Sequence, residues 1–155
     1  MYYFVTSSKD ASLYLQQPTQ NTGLDEVLEV SKVYYGSLKD TARSLIKFDI
    51  NGLSSSLASG AVTMSSAELI LRECESTEIP LEYVIEAYPV SQSWEMGVGT
   101  RFDDITTDGV TWNQRTDGSD WLVGDMSPES SGSYNGKGGT WFTGSAATQS
   151  FAYES

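Results

Sequence analysis

Five aspartates, Asp103, Asp104, Asp108, Asp117 and Asp120, crowd into less than twenty positions of this chain. A hard cation such as calcium takes six to eight oxygen ligands from carboxylates and loop carbonyls, so Asp103, Asp104 and Asp108 are candidate ligands of a structural calcium ion, the one cofactor that the sequence raises. Their spacing fits no EF-hand, and the plainer reading is a solvated, turn-forming loop. The second chemistry on offer is sugar stacking, because flat aromatic faces hold pyranose rings by apolar contact. Trp94, Trp121, Tyr134 and Trp141 are the candidate ligand-binding residues, set against the alternative that such rings are the bulkiest fillers of a β-protein core. Trp112, on an alternating stretch, reads as core. Paired carboxylates for glycoside hydrolysis carry no weight here, since among 21 acids some pair will always lie at a suitable separation. The run Asn135-Gly136-Lys137-Gly138-Gly139-Thr140 lacks the Gly-Lys-Ser/Thr ending and the following helix of a phosphate loop.

The chain contains no histidine, which takes away the commonest general base and the commonest imidazole metal ligand, and with them catalytic triads and most zinc sites. No catalytic residue is expected, and the reading is of a non-enzyme. Nine basic residues against 21 acidic ones give a net charge of −12. Such a chain repels phosphate backbones and anionic lipid, so neither nucleic acid nor membrane is an expected partner. An acidic polysaccharide would also want a basic groove that these nine residues do not form; neutral glycans remain open. Cys74 is the single cysteine, so no intrachain disulfide can form, and it reads as a small buried hydrophobe in mid-strand. Residues 1–5 lack the basic start, long apolar stretch and small-residue cleavage site of a secretory signal.

The elements that must position these residues read as strands. Alternating apolar and polar positions mark 11–16, 27–35, 43–50, 65–74, 81–90 and the segment holding Val110 and Trp112. On 43–50, Ile46, Phe48 and Ile50 are expected to face the core, and on 65–74, Ala67, Leu69 and Leu71. Ile70 falls on the wrong face and is expected beneath a loop or a neighbouring subunit. A loop over 51–60 would place Leu53 and Leu57 as plugs. From Gly124 onward Gly, Ser and Thr dominate, with weak strand signals at Trp141-Phe142 and at 151–153. The division expected is a β-sandwich over residues 1–123 and a trailing segment over 124–155 that packs on the sandwich or on a neighbour. All-β is the class that fits.

Three of these pieces, Arg43 to Ile50, Ser66 to Arg72 and Gly109 to Asn113, resemble in order and spacing the DNRLRE-type jelly-roll domain. That pattern runs from an Arg-Ser-Leu-Leu-Lys-Phe-Asp-like strand through Ala-x-Leu-x-Leu to Thr-Trp-Asn. Ser91 to Glu95 is similar to its Ser-Ser-Trp-x-Glu element, and Asn21-Thr22-Gly23 stands where the family carries Asn-Tyr-Gly. The resemblance covers roughly Asp10 to Trp121. It implies an antiparallel jelly-roll-like sandwich, left incomplete here and completed by further chain or by a partner. It also implies a function: a structural protein of a bacteriophage particle, at the tail, baseplate, collar or fibre attachment, contacting other virion proteins in an oligomer or assembly. The alternative is a carbohydrate-binding module of a secreted or cell-surface multidomain protein.

Overall fold

The computed structural model describes residues 2–74, 84–122, 137–141 and 149–152. Seven short strands and one helix follow one another as β1 (Ser7–Tyr14), β2 (Ser31–Tyr35), β3 (Leu38–Phe48), α1 (Asn51–Ala58), β4 (Val84–Ala87), β5 (Gln114–Thr116), β6 (Ser119–Asp120) and β7 (Gln149–Ala152). Three antiparallel sheets result: β1-β3-β2, β4-β7 and β5-β6. The class is all-β with one short helix. Sheets of three, two and two strands are small, and irregular backbone carries much of the packing between them.

The largest sheet is built around β3, which pairs with β1 through Ala11↔Leu45 and Leu13↔Arg43, and with β2 through Ser31↔Ala42 and Tyr35↔Leu38. Directly opposed residues share a face, so Lys9, Ala11 and Leu13 lie with Arg43, Leu45 and Lys47. This odd-numbered face meets the core, where Ala11, Leu13, Leu45, Trp94, Val110, Trp112 and Trp121 pack together. The expected face was the other one. Ile46 and Phe48 are half-buried and Ile50 is exposed, because Leu45 and Ile46 are both apolar and a one-residue slip exchanges the two faces.

Residues 65–74 differ more sharply from expectation. They form no strand, Leu69 is half-buried, Leu71 and Ile70 are exposed, and Cys74 is exposed rather than buried. Alternation there has no neighbouring strand among the described residues to lie against, and period two without a ladder does not make a strand. The third piece, 109–113, is buried but irregular: Val110 donates its N–H to the Glu95 carbonyl at 2.7 Å, and Asn113 to that of Pro18 at 3.0 Å.

The expected loop over 51–60 is α1. Asp49 Oδ1 accepts the Asn51 N–H at 3.1 Å and so satisfies one of the helix's orphan donors. Gly60, at φ +72°, ends it in the left-handed conformation, with Ala61 N–H returning to Ser56 O at 3.1 Å. Leu53 and Leu57 sit one turn apart and are half-buried. In the trailing segment, β7 pairs with β4, Trp141 bridges Val90, and Gly138 N–H donates to Trp112 O at 2.6 Å.

Candidate functional site

The four tryptophans have distinct surroundings. Trp94 and Trp121 are 5% and 2% exposed and so have no free ring face to offer a ligand; Trp121 also donates its Nε1–H to Thr111 O at 3.1 Å. Trp112 is buried, and Trp141 is half-buried. The Arg43 guanidinium lies over both, 5.1 Å from the Trp112 ring and 4.8 Å from that of Trp141, while its Nη1 donates to Gly138 O at 2.9 Å. A planar cation between two indoles is a cross-brace from β3 to the trailing segment. Lys9 braces likewise, 5.0 Å from the Trp94 ring, bonded to the Trp94 carbonyl and paired with Glu95 at 3.3 Å. Tyr134 lies outside the described residues.

The aspartates do not gather. Asp103 Oδ2 accepts from the Thr100 hydroxyl at 2.6 Å, Asp108 Oδ1 takes the Val98 N–H at 3.4 Å, and the Asp104 carbonyl accepts from Thr106 Oγ1 at 3.2 Å. Asp103 and Asp104 take part in local turns, and Asp108 ties its loop back to Val98 ten residues earlier. Among the described residues no group of three or more Asp, Glu, Cys or His side chains is placed to hold a metal ion, so the calcium expectation has no described ligand set behind it.

A residue that sequence reasoning passed over holds this region together. Asn21 is fully buried, and its amide uses all four of its bonding positions: Nδ2 donates to Met96 O at 2.7 Å and Val110 O at 2.8 Å, while Oδ1 accepts from Gly99 N at 2.7 Å and Gly23 N at 3.2 Å. Glycines crowd this amide because nothing larger fits: a Cβ on Gly97 would lie 2.5 Å from Asn21 Oδ1, and one on Gly99 2.6 Å from the Asn21 carbonyl oxygen. Beside it, the Thr22 hydroxyl accepts the Ser12 N–H at 2.9 Å and donates to Ser12 O at 2.6 Å. At Ser12 one side chain thus does the work of a strand and closes the outer edge of β1. The visible signal for this knot was Asn21-Thr22-Gly23 together with Gly97, Gly99 and Gly109.

The outer edge of β2 is different. Its far neighbour is missing among the described residues, and the hairpin that it forms with β3 stands clear of the core. Two residues, Gly36 and Ser37, make the turn, with Gly36 at φ +65°, the conformation that a tight hairpin demands at that position. By register one face presents Val33, Tyr35 and Leu38, the other Lys32, Tyr34 and Lys39. Tyr35 and Leu38 are each 67% exposed, and Val33 and Tyr34 are exposed too. The Lys32 ammonium lies 5.8 Å from the Tyr34 ring.

Next to the base of this hairpin lies an open cleft of about 430 Å³, lined by Gln16, Pro18, Gln20, Arg101, Phe102 and Ile105 among others. Gln16 Nε2 reaches Lys39 O at 3.4 Å, which joins the cleft wall to the hairpin. Arg101 forms the floor: it pairs with Glu29 at 2.5 Å and stacks 4.1 Å from the Tyr14 ring. Burial raises the Tyr14 phenol above its ordinary value; Glu29 and Asp25 add to the rise, while a hydrogen bond with Ser12 and the Arg101 charge oppose it. Phe102 and Ile105 stand at the rim, 88% and 69% exposed. Among the described residues of this arrangement none pairs a nucleophile with a base. No family model, no curated protein and no solved structure matches the chain.

Proposed function

We propose that this chain is a non-enzymatic interaction module that builds into a larger particle, with the β2–β3 hairpin as the part it builds with. The observation that carries this reading is a strand edge without a neighbour among the described residues, flanked on both faces by exposed apolar and aromatic side chains. Proteins that need no partner blunt such edges with bulges, prolines, charges or covering loops. Here Thr22 closes the β1 edge at Ser12, whereas among the described residues nothing covers the β2 edge, whose one charge is Lys32. An unpaired row of N–H and C=O groups beside Val33, Tyr34, Tyr35 and Leu38 is suited to strand addition or to burial beneath a neighbour.

The sequence resemblance favours a bacteriophage particle as the setting, at the tail, baseplate, collar or fibre attachment, although the assembly reading stands on the hairpin without it. The residues expected to stack on a sugar give the carbohydrate-binding alternative less support. Trp94 and Trp121 are enclosed, and the Trp141 ring is occupied by Arg43. Hydrogen exchange on the full chain alone and on the chain within purified virions tests the proposal. The amides from Val33 to Leu38 are expected to exchange fast in the free chain at high dilution, where it is monomeric, and to be protected in the particle; equal exchange in these two states overturns it.

A further inference from the structure

We infer that the β2–β3 hairpin docks into the cleft beside Phe102 on a second copy of this chain, and that two copies exchange hairpins reciprocally to form a two-fold dimer. This inference rests on the interaction reading above and supplies the identity of the neighbour.

Charge comes first. The hairpin over 31–41 carries Lys32 and Lys39 against Asp40, so it is a basic island in an acidic molecule; the remaining positions hold seven basic residues and 20 acidic ones. Both lysines are exposed, and the ion pairs among the described residues, Lys9–Glu95 and Arg101–Glu29, involve neither. The cleft carries the opposite sign: Asp103 lines it beside Phe102 and Ile105, and Asp104, next in sequence, is exposed as well. The recess itself is mixed, with Pro18, Phe102 and Ile105 among glutamines and threonine, and because its Arg101 is already paired with Glu29, the charge it offers an apolar and basic projection from another copy is that of Asp103. Two bodies of net charge −12 repel at long range, but at about 0.15 M salt the screening length is about 8 Å, so distant charges fade while contacting pairs still count.

Position then decides the symmetry. The hairpin and the cleft are neighbours on the same molecule: Gln16 of the cleft wall reaches the Lys39 carbonyl, and Arg101 stacks on Tyr14, which is paired with Ala42 and through it with Ser31. A projection and a recess on opposite sides would link copies head to tail in an open chain. Side by side, each hairpin reaches the other copy's cleft across a two-fold axis, and the contact closes at two.

Charge reversal tests this. Light scattering on the full chain at micromolar concentration is expected to give twice the monomer mass. Lys32→Glu with Lys39→Glu, or Asp103→Lys with Asp104→Lys, each sets like charges against like in both halves of the dimer, and each is expected to weaken association about tenfold or more. Mixed in equal amounts, the two variants have opposite charges in both halves, and a heterodimer is expected. A monomeric unmodified chain, a dimer indifferent to both reversals, or no rescue on mixing each overturns the inference. As a check that uses no variant, raising the concentration of the unmodified chain is expected to protect the amides of 33–39 and 101–105 together; protection confined to other segments overturns it. A monomer in solution whose hairpin is protected in virions removes the second copy as occupant and leaves the interaction reading intact.

Discussion

The two outer edges of the three-stranded sheet are handled in opposite ways. Along β1, Thr22 closes the ladder at Ser12, and the adjacent Asn21 amide ties four backbone groups from three loops into one buried knot. Along β2, no described residue closes the ladder, and three large apolar or aromatic side chains, Val33, Tyr34 and Tyr35, stand in solvent with Leu38 of β3 beside them. The same sheet therefore has one edge closed by its own chain and one without a neighbour among the described residues. The difference teaches that polar satisfaction, as much as apolar burial, fixes the inward part of this fold: seven buried residues among those described are polar, and Asn21, Thr22 and Ser12 are among the most enclosed.

The sharpest way to break that comparison is Asn21→Leu. The change keeps the bulk but leaves two N–H and two carbonyl groups buried without partners, each costing about 1–3 kcal/mol. A loss on the order of 4 kcal/mol or more is expected, a large part of the total for a marginally stable domain. Urea denaturation with circular dichroism measures it; a loss below about 1 kcal/mol would show that the knot does not hold the fold.

How much of this was legible beforehand follows from the same residues. The pairing partner of β1 could be seen in the alternation over 43–50, yet its inward face could not, because Leu45 and Ile46 offer adjacent apolar positions and Arg43 looks like a surface residue until Trp112 and Trp141 are placed against it. Ser66 to Arg72 alternates as well as β3 does, but strand formation depends on a neighbour, which no local pattern supplies. Asn21 was visible only as part of Asn21-Thr22-Gly23, the tripeptide that stands where the resembled family carries Asn-Tyr-Gly. Its partners at Met96, Gly99 and Val110 lie more than seventy positions away, so its role exists only in three dimensions. The tryptophans were legible as large and undecided between core and ligand, and only packing resolves that. The hairpin was visible as a strand, but its isolation was not.

Two glycines sharpen the contrast at lower cost. Gly97 and Gly36 share the left-handed conformation, at φ +77° and +65°, so alanine at either carries a similar backbone penalty of about 1–2 kcal/mol. Their surroundings differ. A Cβ on Gly97 strikes the Asn21 amide at 2.5–2.6 Å, whereas one on Gly36 meets nothing within 4 Å. Gly97→Ala is therefore expected to destabilise by about 2 kcal/mol more than Gly36→Ala, through the displaced amide. Equal losses in thermal or urea unfolding would mean that the two regions are equally accommodating.

Tyr14 stands at the boundary between the two regions, and its effect is smaller and confined to alkaline pH. Burial lifts its phenol above the ordinary 10.0, so the native state holds this proton more tightly than the unfolded chain does. Its contribution is fully present below about pH 10 and is lost as pH rises through the folded value, since unfolding there releases a proton. Tyr14→Phe is expected to remove this part of the alkaline decline. Urea midpoints from pH 8 to 11 in the two proteins check it; parallel declines would place Tyr14 in a more open setting than the Arg101 stack provides.

The smallest expected effect on stability is at the hairpin, and its smallness is what matters. Replacing Val33, Tyr35 and Leu38 together by threonine keeps strand preference while removing most of the exposed apolar surface. Exposed positions away from caps and cores change stability by no more than about 0.5 kcal/mol each, so the unfolding free energy of the isolated chain at high dilution is expected to hold nearly constant. Association, read by light scattering on the same protein, is expected to fall. Apolar side chains that contribute to contact and not to folding belong to an interface. If unfolding shifts by several kcal/mol while association does not move, these residues pack within their own chain, and β2 is no more open than β1.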